Sequence, residues 1–338
     1  MKRVIMNEYG GPEVLHLTDA PIPQPGPGEV LLKMEAAGIS KPDFLMRTGA
    51  YPWTRGILPF YPGLYGTGTV AAVGGDVTKV AVGDLVFVDH PVVCGCYSEY
   101  KTAPVGNVTK MIAGTDPVYG AVMTNYVIAW SLMTQVLGPG HGKTLYMKGA
   151  AGALGSAVVQ MAPLAGYRVI ASASTPEKCD YLRSIGAAQV FCYKETSEQE
   201  AVLAATNGIG ADIILDQVAG PNMASQLSYL APLGTILVYN YLGGAEHTGI
   251  LEAMIAGMAK CQSVRVFSFH YNDDKPEALK LLREQVFTML HEGKIKPHIF
   301  RTFSQAEIQE AHQVLDSGAF TGSLHACTGG IFLPAPNG

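Results

Sequence analysis

The stretch GAAGALG, residues Gly149 to Gly155, decides how this chain is read. It follows the apolar run Leu145, Tyr146, Met147 and precedes a second apolar run from Ala157 to Ala165. The nucleotide-binding pattern G-x-G-x-x-G nearly fits, with Ala150 in the place of its first glycine. A tight turn from strand to helix leaves helix-end N–H groups unpaired, and the helix dipole favours an anion there. Small residues at Ala151, Gly152 and Ala153 leave room for a pyrophosphate, Leu154 follows on the same turn, and Gly155 lets the helix lie close to its strand. In isolation an ordinary small-residue turn would read the same. The strand before it, the helix after it and the βα units that follow favour the nucleotide.

Working outward, "TLYMK" reads as a short buried strand and "ALGSAVVQMAPLAG" as a helix ending at Gly166. "RVIASA" is the next strand. "STPEKCDYLRSIG" is a helix capped by Ser174 or Thr175, with Pro176 in its first turn and Gly186 as its stop. "QVFCY", "ADIILD", "GTILVY" and "SVRVFSF" are further strands. Strands alternating with helices predict a Rossmann-type doubly wound parallel sheet. A charged helix from about Asp274, another from Ser304 and the strand-like "GSLHA" complete the chain. Before the glycine stretch, roughly 120 residues of short β-branched runs separated by Gly and Pro turns predict an irregular antiparallel barrel.

The end of the second nucleotide strand identifies the cofactor. An NAD site usually places Asp or Glu there to hold the ribose 2′-hydroxyl. Here the segment is "ASAST", Ala171 to Thr175, without a carboxylate. Ser174, Lys178 and Tyr193 supply hydroxyls and a cation instead, which suit a 2′-phosphate. NADPH is therefore the expected cofactor.

Composition excludes several classes. Of 338 residues, 48% are apolar and 15% charged, and the net charge is −5 with no basic block, so nucleic acid is not an expected partner. No apolar run approaches the roughly 18 residues that span a bilayer. The N-terminus lacks the apolar core of a secretory signal. Six scattered cysteines suit a reducing cytoplasm. His90, His247 and His270 stand alone in loops and read as surface or packing residues.

Further motifs lie in order along nearly the whole chain: "YGGPEVL" (9–15), "PGPGEVLLKMEAAGI" (25–39), "VGDLVF" (82–87), "YSEY" (97–100), the glycine stretch, "EKCDYLRSIGA" (177–187), "GADIILDQVAG" (210–220) and "TGSL" (321–324). Together they resemble the medium-chain dehydrogenase/reductase superfamily, and within it the zinc-independent quinone oxidoreductase (zeta-crystallin-like) branch. The resemblance implies a GroES-like β-rich catalytic domain over residues 1–122 and a Rossmann NADP(H) domain over 123–262. Residues 263–338 would supply the last Rossmann strand and a return to the catalytic domain. It also implies a homodimer.

The resemblance places Tyr51, Ser40, Asp43 and Arg47 around the substrate pocket, with Tyr51 the first candidate donor to a carbonyl oxygen. Tyr65 stands where a Glu is frequent, and Thr124 and Asn125 lie on the helix near the nicotinamide. A tyrosine of the quinone reductases falls at Leu45 here. Val218 would pack on the adenosine, Asn240 and Tyr241 on the nicotinamide ribose, and Phe267 to Phe269 would hold the carboxamide by backbone groups. The zinc signature of related alcohol dehydrogenases is broken. "GISKPDF" carries Ser40 and no Cys, and "PGLYGTG" has Leu64 and Tyr65 for His and Glu, so no metal is expected. Cys94 and Cys96 read as small hydrophobes.

Without a Lewis acid, the accessible chemistry is hydride delivery to an electron-poor acceptor, a quinone first. The alternatives are an α,β-unsaturated carbonyl, taken by an enoyl or alkenal reductase, or no turnover at all, as in a crystallin-like cofactor-binding relative.

Overall fold

The structure, a computed structural model, describes residues 1–89, 94–244 and 249–327. It divides into two compact units, residues 1–127 with 279–338 and residues 128–278. The middle unit begins five residues after the expected boundary at 122/123. It also extends past 262, so the strand expected at 263 belongs to it and the return begins at Leu279.

The first unit contains β1 (Lys2–Ile5), β2 (His16–Asp19), β3 (Glu29–Ile39), α1 (Lys41–Arg47), β4 (Tyr65–Val73), β5 (Leu85–Asp89), β6 (Tyr100–Pro104), β7 (Val108–Lys110), α2 (Pro117–Gly120) and the start of α3 (Met123–Ser131). The second contains β8 (Thr144–Met147), α4 (Ala153–Met161), β9 (Arg168–Ala173), α5 (Pro176–Ser184), β10 (Gln189–Cys192), α6 (Glu198–Ala205), β11 (Ala211–Asp216), β12 (Leu230–Val238), α7 (Ile250–Ala256) and β13 (Ser263–Val266). The chain then runs through α8 (Pro276–His291), β14 (Ile299–Ser304), α9 (Ile308–Ser317) and β15 (Ser323–Cys327) into the first unit.

In the second unit every strand pairs in parallel, in the order β10-β9-β8-β11-β12-β13. This is the doubly wound order, and its direction reverses beside β8, the strand that feeds the glycine stretch. Buried on both faces, these strands read as near-continuous apolar runs, which is why they were legible. Tyr146, Ile170, Ile214, Leu230 and Ile236 form the centre of that core. The helix after the glycine stretch is regular only to Met161. Pro163, which has no N–H to donate, turns its end into a 3-10 turn, and Gly166 closes it in the left-handed region.

In the first unit β3 is the hub. It pairs antiparallel with β4 along one edge, and its other edge is shared by β6 (Glu29–Lys33) and β15 (Ala36–Ile39). Two register irregularities along β3 bend the sheet. β14 joins β15 in parallel, so the sheet is mixed rather than purely antiparallel as expected.

Candidate functional site

In the second unit the site grows from the turn between β8 and α4. Gly149 has φ +63°, a region that favours glycine. Gly152 is the N-cap of α4, and a Cβ built on it would meet nothing within 4 Å, so the space above the loop is open. At Gly155 a Cβ would collide with the Ala150 backbone, so that glycine sets how closely the helix lies on its strand. Gln217, just past β11, donates through Nε2 to the Lys148 and Gly149 carbonyls at 3.3 and 3.4 Å and braces the loop from across the switch point. These features fit a pyrophosphate held by backbone N–H groups.

The parallel register pairs Cys192 with Ala173, so Ser174 and Tyr193 leave adjacent strands side by side. Thr175, rather than Ser174, caps α5, accepting from the Lys178 N–H, which leaves the Ser174 hydroxyl out of the cap. Burial and the neighbouring Lys194 ammonium pull Lys178 below its ordinary pKa. Lys194 is a residue that sequence reading missed. It sits in the polar run "YKETSE" and reads as solvated, and only the strand register brings it toward Lys178. Two cations beside two hydroxyls, without a carboxylate in the Ala171–Thr175 segment, form a locus suited to a dianionic phosphate.

Tyr193 and Val218 both line a cavity of about 540 Å³ at the carboxyl ends of β8, β10 and β11. Lys148 and Glu198, paired at 2.6 Å, lie on its wall. A second cavity, about 770 Å³, opens at the opposite ends of these strands. On its wall Arg168 donates to the Ala205 carbonyl and Asp212 accepts from the Thr144 N–H. Asn240 caps the N–H of Tyr241, which is half exposed. Phe267 is buried and its N–H donates to the Val238 carbonyl. His270 pairs with Asp273 at 2.8 Å. His90 and His247 lie outside the described residues.

In the first unit, Ser40, Asp43, Tyr65 and Asn125 form one buried cluster. Ser40 ends β3 and caps α1, its N–H and hydroxyl both donating to Asp43 Oδ2 at 3.0 and 2.8 Å. Burial raises the Asp43 carboxyl to about 6, against the pull of those Ser40 bonds and the nearby Tyr97 hydroxyl. Burial pushes the Tyr65 phenol up to about 12, so it is neutral across the physiological range. Asn125 Nδ2 donates to the Tyr65 oxygen at 3.3 Å. Asn125 fills an acceptor site on Tyr65, and Ser40, whose proton goes to Asp43, is also a hydrogen-bond partner of the Tyr65 phenol. The Tyr65 O–H is therefore turned toward the Ser40 oxygen and is the donor this cluster can offer to an acceptor that enters there.

The other two expected pocket residues lie apart from this network. Tyr51 is buried against Trp53, ring centroids 5.3 Å apart. Arg47 is buried and donates to both Asp316 oxygens at 2.7 Å, clamping α1 to α9. The zinc position holds Leu64, which cannot ligate, and Tyr65, already engaged by Asn125. Among the described residues no group of three or more His, Cys, Asp and Glu could hold a metal ion. The residues present do not fit a zinc site.

Two family models match the chain: an alcohol dehydrogenase GroES-like domain over residues 26–136 and a zinc-binding dehydrogenase over residues 153–284. A quinone oxidoreductase of Pseudomonas aeruginosa is 31% identical over 95% of this chain and 98% of its own length. The human quinone oxidoreductase is 27% identical over 96% of this chain and 97% of its own. Among solved structures, the Pseudomonas syringae quinone oxidoreductase matches with a TM-score of 0.87 at 27% identity, covering 97% of this chain and 99% of that one. A mycobacterial protein solved in complex with NADPH matches at 0.86 and 28%, covering 97% and 100%.

The chain belongs to the medium-chain dehydrogenase/reductase superfamily, in its quinone oxidoreductase branch. It is an oxidoreductase of that type.

Proposed function

We propose that the chain is a zinc-independent, NADPH-dependent reductase that passes hydride to an electron-poor acceptor, a quinone first of all. The observation that carries the reading is the end of β9: no carboxylate between Ala171 and Thr175, and Lys178 and Lys194 beside Ser174 and Tyr193. NADPH, when bound, supplies the hydride.

The chain's own residues do the rest. N–H groups of Gly152, Ala153 and Leu154, with Ala151 kept small, hold the pyrophosphate. Ser174, Lys178, Tyr193 and Lys194 hold the 2′-phosphate, Val218 packs on the adenosine, Asn240 and Tyr241 lie by the ribose, and the Phe267–Phe269 backbone binds the carboxamide. Tyr65, held by Asn125, donates a hydrogen bond to the acceptor oxygen that gains charge, while Ser40 and Asp43 fix the wall beside it. Tyr51, buried beside Trp53, is the other candidate donor to that oxygen. A quinone is already electron-poor, so no Lewis acid is required.

A second copy of the chain would pair along β13, one edge strand of the parallel sheet, where Val266 on the strand and Leu251, Ile255 and Met258 in the segment before it are exposed. Light scattering at the mass of two chains supports that homodimer, and the mass of one removes it. Free cysteines support a reducing compartment, the cytoplasm, as the expected location.

The assay follows NADPH consumption with 1,4-benzoquinone, 9,10-phenanthrenequinone and a 2-alkenal. Turnover of the quinones supports the reading. Turnover of the alkenal alone favours the double-bond reductase, consistent with Leu45 where the quinone reductases carry a tyrosine. Calorimetric NADPH binding without turnover of any acceptor favours the cofactor-binding relative.

A further inference from the structure

Asp89 ends β5 and is buried, although it is a carboxylate. Its partner is Arg283 of α8, also buried, whose other arm reaches Thr109 of β7 at 3.3 Å. The β4–β5 register places Asp89 directly opposite Tyr65, so the two side chains share one face of the sheet. Thr124, in the first turn of α3, donates to Asp89 Oδ2 at 3.4 Å. The next residue is Asn125, whose amide holds Tyr65. Four contacts therefore close a ring: β4 to β5 through the sheet, Asp89 to Thr124, Thr124 to Asn125 through the chain, and Asn125 to Tyr65.

We propose that Asp89 positions the Asn125–Tyr65 donor couple by tethering the start of α3 through Thr124, with Arg283 neutralising the buried Asp89 charge. The proposal rests on Tyr65 being the hydrogen-bond donor. Asp89 is a positioning residue, since it does not need to touch the acceptor, and Arg283 compensates its charge. Thr124 stands in the first turn of α3, so its bond to Asp89 acts where that helix begins. A buried ion pair adds little net stability, because desolvating both charges offsets their attraction. A part in fixing geometry accounts for a pair in this location better than stability does.

The test compares two double variants. Asp89→Leu with Arg283→Met removes the pair and the tether together, whereas Asp89→Asn with Arg283→Met removes the charges but keeps a carbonyl for Thr124. The proposal expects both to bind NADPH within about twofold of the parent by calorimetry, since the cofactor loop is untouched. The leucine variant should lose about tenfold in kcat with 1,4-benzoquinone, the scale of a small misplacement, while the asparagine variant retains it. The Asn125 side-chain amide resonance should shift in the leucine variant only. Equal kcat in the two variants, whether both retained or both lost, overturns the tether.

Should the leucine variant fail to fold, Thr124→Val reads the same contact. Its kcat should fall and Thr124→Ser should restore it, and an unchanged kcat in Thr124→Val overturns the proposal. Tyr65→Phe separates the two layers. Parent-level kcat in Tyr65→Phe removes the donor reading and the proposal with it. A loss in Tyr65→Phe beside full activity in the leucine variant removes the proposal alone.

Discussion

Single residues choose the cofactor. Lys178 lies near a second cation, Lys194, at the end of a strand whose Ala171–Thr175 segment carries no carboxylate, a position suited to a phosphate. Lys178→Ala should raise the Michaelis constant for NADPH roughly 10- to 100-fold, the worth of one charge-assisted contact, and leave that for NADH nearly unchanged. Equal effects on both cofactors would take Lys178 out of the phosphate locus. Gly152 makes a steric argument instead. Open space lies where its Cβ would be, so Gly152→Val should fold normally yet abolish NADPH binding by calorimetry, and retained tight binding would reduce the loop to a turn. The glycine spacing and the missing acid were legible because both are local in sequence. Lys194 and Asp89 were not, because their meaning comes from strand register.

At the scale of elements, β3 and β4 lie close enough that the Tyr65 ring rests on Gly38. A Cβ at Gly38 would collide with that ring and with the Ala121 carbonyl. The Gly38 carbonyl also accepts the Tyr97 hydroxyl at 3.3 Å. Gly38→Ala should therefore displace Tyr65 from Asn125, lowering kcat for the acceptor severalfold with NADPH affinity preserved. Unchanged kcat would show that the Tyr65 position is not critical. The same scale explains what the sequence pattern could and could not reveal. "RVIASA", "ADIILD" and "GTILVY" became β9, β11 and β12 because strands buried on both faces carry continuous apolar runs. By contrast, β15 pairs with β3 across almost the whole chain length, a pairing no local pattern specifies, and the return of the tail was expected only from the family resemblance.

For the whole molecule, acid stability is set by buried titrating groups of the first unit. His312 and His325 are fully buried, among the described residues no group bonds either ring nitrogen of either one, and burial lowers both to about 3. The unfolded chain holds those protons near the ordinary value of about 6.5, so it binds more protons and stability falls as pH drops from about 6.5 toward 3. Asp43 works in the opposite sense. Its carboxyl is raised to about 6 in the fold, so protonation below that value favours the folded state. Two histidines set against one aspartate leave a net loss on acidification. Urea midpoints measured between pH 7 and pH 4 should fall, and the His312→Leu/His325→Leu variant should show a shallower fall. An identical slope in that variant would place acid sensitivity elsewhere.

The account stands on reduction that needs NADPH and no metal. The most direct measurement is the kcat for NADPH oxidation with 1,4-benzoquinone before and after exhaustive dialysis against a strong chelator. The account predicts the same value in both samples. Activity that disappears on chelation and returns with added Zn²⁺ would contradict it.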